Sequence, residues 1–175
     1  MVDLSGISVV TKPTKKRLNE RQLEDYRHHR EQCLTWLLAV GKDPQRADGY
    51  AFSTVKSRAN RMDQFYRWVW EQEDGYTAHV TTEHADAYMQ ALAYDDDYSD
   101  AHKDTCQKAV QMLFKWIHHD RGGELWKPAF RFNPADGSSH PRDYLTMEER
   151  GLIREASFEY GSVPAYGDLS PDARD

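Results

Sequence analysis

The sequence is short of cysteine. It holds two, Cys33 and Cys106, with no C-x-x-C spacing, so a cysteine-built zinc site is excluded. Each sits in a helical pattern beside apolar residues, as expected of a reduced core thiol in a cytoplasmic protein. No run approaches the roughly 18 apolar residues of a membrane span. Residues 1–10 lack a charged region followed by a long apolar core, so no secretory signal is read there. Alternating apolar and polar letters of useful strand length are absent. So are a Gly-rich phosphate loop and a Gly-x-Ser-x-Gly elbow. These absences leave a soluble helical domain without an evident cofactor or catalytic motif.

What is present begins with charge. The 175 residues carry a net charge of −6, unevenly placed. Residues 11–70 hold 13 Lys/Arg against 7 Asp/Glu, whereas residues 71–175 hold 10 against 21. A locally basic half can dock on phosphates even in an acidic chain. Asp outnumbers Glu, 18 to 11, and Asp95-Asp96-Asp97 falls in a turn. That balance suits a salt-rich, halophilic cytoplasm. Full stability without added salt, measured as a melting curve against salt, would exclude the idea.

Helical spacing organises the chain. A basic N-terminal arm, residues 1–18, reads as irregular and ends in Lys12-Pro-Thr-Lys15-Lys16-Arg17. A first helix spans about 19–40, capped by Asn19, with Leu23, Tyr26, Arg30, Cys33, Leu34 and Leu37 in helical register. A second spans about 51–72, with Phe52, Val55, Ala59, Met62, Tyr66 and Val69 on one stripe. A third, capped by Thr81 or Thr82, ends near Ala93. A fourth, capped by Ser99, runs to about Asp120 and stops at Gly122-Gly123. Residues 127–143 read as a Pro/Gly/Ser linker. Thr146 with Glu149 then opens a further helix. The expected class is all-α: four helices in residues 19–126, a linker, and a short helical extension over residues 144–175.

Two phrases lie 48 positions apart: Phe65-Tyr66-Arg67-Trp68-Val69 and Leu113-Phe114-Lys115-Trp116-Ile117. Their aromatics, with Trp36 and Trp70, fit the core of a bundle. The opposite faces carry Lys56, Asn60, Arg61, Gln64 and Arg67 on the second helix. The fourth carries Lys103, Gln107, Lys108, Gln111 and Lys115. Lys and Arg neutralise phosphates, and Asn, Gln and Arg can read base edges. Solvated helix faces of no special function look the same by composition. His102 and Cys106 share a helix face, but two ligands do not make a zinc site. Glu148-Glu149 sit where a helix N-terminus favours carboxylates.

The ordered set of features resembles the N-terminal part of tyrosine recombinases of the phage-integrase family, archaeal ones especially. It comprises Leu34-Thr-Trp36-Leu-Leu38, Ser53-Thr-Val55, the two aromatic phrases, Val80-Thr-Thr-Glu83, Ser99 and Tyr144-Leu-Thr-Met-Glu-Glu149. The resemblance covers residues 19–157. It implies a four-helix core-binding, or SAM-like, domain on one face of duplex DNA, in a C-shaped clamp closed by a catalytic domain. It also implies that the second and fourth helices approach the major groove, and that residues 144–175 open that catalytic domain. The family's catalytic Arg, Lys, His-x-x-Arg and Tyr set is not carried over to any residue. His118-x-x-Arg121 copies one motif but precedes the linker, and Tyr144, Tyr160 and Tyr166 lack the supporting set.

The expected function is therefore non-catalytic DNA binding in DNA integration or recombination. Lys56, Asn60, Arg61, Gln64, Arg67, Lys103, Gln107, Lys108, Gln111 and Lys115 are the expected contacts, with Lys15 and Lys16 of the arm. The expected partners are double-stranded DNA, a catalytic domain of the same protein and further recombinase protomers, with no membrane, metal or cofactor. A helical protein-interaction module and a stand-alone regulator of recombination sites are the competing expectations.

Overall fold

Local capping chemistry sets the helix starts. The computed structural model describes residues 2–132 and 151–156, and among these every regular element is helical. After a four-residue turn, α1 (Lys12–Lys15), comes α2 (Glu20–Ala39). Asn19 caps α2 reciprocally: Gln22 N donates to Asn19 Oδ1 at 2.9 Å, and Asn19 N donates to Gln22 Oε1 at 3.1 Å. α3 (Phe52–Gln72) follows without a side-chain cap. Thr81 caps α4 (Thr82–Tyr94), and its backbone N donates to His84 Nδ1 at 3.1 Å. Ser99 caps α5 (Asp100–Arg121), which ends at Gly122 with φ +67°, a conformation suited to glycine.

The α2–α3 loop is tight. A lone bridge joins Asp43 and Asp48, and a Cβ on Gly49 would lie 1.7 Å from the Leu38 carbonyl oxygen. Only glycine allows the backbones to approach so closely.

α3 and α5 form the central pair, and α2 and α4 each touch both. The apolar stripes of all four meet in one core that includes Leu34, Leu37, Met62, Phe65, Tyr66, Leu113, Phe114 and Trp116. Each such side chain contributes about 1.5–3 kcal/mol on burial. Aromatic edges meet ring faces there: Tyr26 and Trp70 centroids are 5.0 Å apart at 76°. Trp36 and Trp68 pack at its margin, half-buried. Cys33 and Cys106 are buried and free, and burial pushes the Cys33 thiol up to about 12.

The arm departs from the irregular segment that its composition suggests. Ile7, Val10 and Thr14 are buried, and α1 adds a helical turn. Its apolar anchors, Ile7 and Val10, come before the exposed Lys12, Lys15 and Lys16, and what buries them is a surface that other helices build. Residues 127–132, expected as linker, also touch the bundle: Phe132 packs on the core and the Phe130 carbonyl receives a hydrogen bond from α5.

The chain divides into two units, residues 1–135 and 136–175. In the second, residues 151–156 are helical. The expected helix opening at Thr146, the remainder of the 127–143 linker beyond 132, Tyr144, Glu148, Glu149, Tyr160 and Tyr166 lie outside the described residues. Among the described residues no helix is long and apolar enough to cross a membrane.

Candidate nucleic-acid interface

α3 turns its buried stripe, Val55, Ala59, Met62, Tyr66 and Val69, toward α2 and α5. At 3.6 residues per turn the opposite side must carry Ser53, Lys56, Ser57 and Asn60, and all four are exposed. Gln64 and Arg61 continue this face half-buried. Its uncharged members, Ser53, Ser57, Asn60 and Gln64, form a strip rich in donors and acceptors between Lys56 on one side and Arg61 on the other, and further cations lie beyond both edges.

One flank is a cleft of about 290 Å³ between α3 and α5, lined by Tyr50, Thr54, Arg58, Lys108, Gln111 and Lys115. Here three of the expected contacts come together, with Arg58 and Tyr50 added. Lys115 Nζ donates to the Lys42 carbonyl oxygen at 2.7 Å and lies 5.6 Å from the Tyr50 ring centroid. These contacts hold it at the cleft wall. Lys108 Nζ pairs with Asp104 at 2.7 Å on the surface. Such a pair contributes about 0–1 kcal/mol, little enough for an arriving phosphate to replace it. Arg58 has no ion-pair partner among the described residues.

The other flank begins with Lys56. Asp63, seven residues on and on the same side of α3, holds Thr14 of α1 at 2.8 Å. This contact brings Lys12, Lys15 and Lys16, all exposed, alongside α3. None of these four lysines has an ion-pair partner among the described residues.

Two expected contacts are not on the surface. Lys103 and Gln107 are 7% and 3% exposed. Lys103 Nζ reaches the Ala93 carbonyl oxygen at 3.4 Å, and Gln107 Nε2 donates to the Phe130 carbonyl oxygen at 2.8 Å. They lie on the side of α5 that α4 and the chain after Trp126 cover. Their polar letters mark buried hydrogen-bonding groups, so the exposed-face reading is corrected for both. Arg67 is half-buried, its Nε 3.2 Å from the Asp63 carboxylate, which already neutralises part of its charge. Gln64 Nε2 donates to Tyr98 Oη at 3.3 Å. Arg61 Nε is enclosed and has no hydrogen-bond partner among the described residues.

Arg58, Tyr50 and Asp63 were not singled out as interface residues by spacing. Arg58 lies one turn after Thr54, at the edge of the apolar stripe, and a helical wheel alone could have flagged it. Its nearness to Lys108 depends on the α3–α5 packing and leaves no trace in either helix.

His118-x-x-Arg121 has local roles. His118 Nδ1 lies 2.8 Å from the Gly123 carbonyl oxygen, and the Arg121 guanidinium sits 4.9 Å over the Trp116 ring. Arg121 also donates to Gln32 on α2. Both residues therefore secure the end of α5. His102 stacks on Tyr98 with centroids 4.3 Å apart, and burial, with Arg61 nearby, lowers its pKa. No group of three or more His, Cys, Asp or Glu that could hold a metal is found among the described residues.

A wider cleft of about 910 Å³ opens between α2 and the end of α5. Asp25, Glu31 and Asp120 share its lining with His28, Arg121 and Trp36, so its charges are of both signs.

Comparison of the chain with protein-family models, with curated proteins and with solved structures finds no match in any of the three.

Proposed function

We propose that this chain binds duplex DNA as the core-binding module of a tyrosine recombinase, positioning DNA for chemistry performed elsewhere. The observation that carries the reading is the α3 face: neutral polar groups along its centre, with largely unpaired cations on both sides. A helix entering a major groove needs that order, because bases lie at the groove floor and phosphates at its rims. Lys12, Lys15, Lys16 and Lys56 serve one rim, and Arg58, Lys108 and Lys115 the other. Ser57, Asn60 and Gln64 face the floor. No residue is assigned a catalytic role.

Each neutralised phosphate adds about 0.9 to the salt slope of binding, so the seven rim cations, each meeting one phosphate, give a slope near −6. Fluorescence anisotropy with a labelled duplex across a salt series measures it. The Arg58→Gln/Lys108→Gln variant should lower the magnitude of the slope by about 2 and leave the melting temperature close to that of the wild type. Binding that is independent of salt, or equal in the variant, would overturn the interface.

The mixed-charge cleft beside Trp36 favours a second reading, a helical protein-interaction module. Absence of any duplex binding at low salt would select it.

A further inference from the structure

We propose that Asp63 is the joint that docks the N-terminal arm on α3, making the arm's lysines part of the same surface as Lys56. Asp63 is fully buried. Its carboxylate accepts from Thr11 Oγ1 at 2.7 Å, Thr14 Oγ1 at 2.8 Å, Tyr26 Oη at 3.2 Å and Arg67 Nε at 3.2 Å. A carboxylate removed from water persists only where donors surround it. Here two of the four donors come from the arm. The arm needs Asp63 to satisfy two part-buried or buried hydroxyls, and Asp63 needs the arm to complete its shell.

Arg30 adds a second tie. It is fully buried, and its Nη2 donates to the Ala59 carbonyl oxygen at 2.6 Å while its Nε reaches the Val9 carbonyl oxygen at 3.3 Å. Ile7 and Val10 supply apolar anchors on the same segment. Between and beyond these ties, Lys12, Lys15 and Lys16 point outward and remain exposed. A free polybasic tail would meet phosphates in many conformations and lose entropy on binding. A docked turn presents its lysines already placed, so less ordering is needed when a polyanion arrives.

The docking half of this proposal stands on the geometry alone, and the shared-surface half rests on the DNA-binding reading. Hydrogen exchange on the full chain, read beside the DNA salt slope, separates the two. Asp63→Asn removes the charge but can unfold the bundle. The Thr11→Val/Thr14→Val variant therefore carries the test, because it keeps the branched shapes and leaves Asp63 its Tyr26 and Arg67 donors. The expected result is exchange about tenfold faster at the Lys15 and Arg17 amides, with a smaller loss of protection in α3 and α5. The salt slope should also fall by about 2–3 in magnitude. Unchanged exchange in the arm overturns the joint. A released arm with an unchanged salt slope overturns the shared surface. A wild-type chain that binds no duplex likewise overturns the shared surface, and exchange still decides the docking.

Discussion

Gln107 Nε2 donates a 2.8 Å hydrogen bond to the Phe130 carbonyl oxygen, joining the middle of α5 to the chain beyond the bundle. Its amide also lies 3.7 Å from Met89 Sδ on α4, so Gln107 secures two neighbours at once. Gln107→Ala should therefore destabilise the fold by about 0.5–1.5 kcal/mol, the net worth of one hydrogen bond whose acceptor, on the exposed Phe130, water can reach once the amide is gone. Urea unfolding measures that loss. Duplex affinity of the folded variant should stay within about twofold of wild type; a large loss of affinity at full stability would return Gln107 to the DNA face.

His29 sets a pH dependence. Burial first, then the nearby Arg121 and Arg30 charges, lower its pKa to about 4. Its Nε2 lies 2.6 Å from Tyr66 Oη. The unfolded chain binds this proton near pH 6.5, whereas the folded chain resists it until about pH 4. Between those values the unfolded state holds more protons, so stability rises with pH and is lost on acidification through the same window. The loss should reach about 3 kcal/mol below pH 4. Urea midpoints across that window measure it, and His29→Gln should flatten the His-dependent part. Identical acid sensitivity in both proteins would assign the effect to other groups.

Trp116 is fully buried and donates from Nε1 to Asp120 Oδ2 at 3.1 Å. The His29 ring meets it at 5.0 Å, with Arg121 on its face. Trp116→Ala should cost about 3–5 kcal/mol in unfolding free energy. A nearly neutral result would mean that the second aromatic phrase is not the end of a packed helix.

The all-α class and the starts of α2, α4 and α5 were legible because their causes are local. Asn19, Thr81 and Ser99 act within three residues of themselves, and Gly122 ends α5 by its own backbone freedom. Core positions such as Leu34, Tyr66 and Leu113 were legible from period alone. The interface was legible only in part. Lys56, Asn60 and Lys108 are exposed as expected, and Lys103 and Gln107 are not. On an isolated helix all five letters look alike.

The sequence by itself determined where helices begin, which stripe of each is apolar and where positive charge is concentrated. These follow from capping, from the 3.6-residue period and from counting, and need no distant partner. Only the tertiary structure decided which polar residues are surface and which are internal. Thr14 meets Asp63 across 49 positions, Lys115 meets Lys42 across 73, and Gln107 meets Phe130 across 23. A buried polar group is acceptable only when its partner arrives, and that partner lies on another element of the chain.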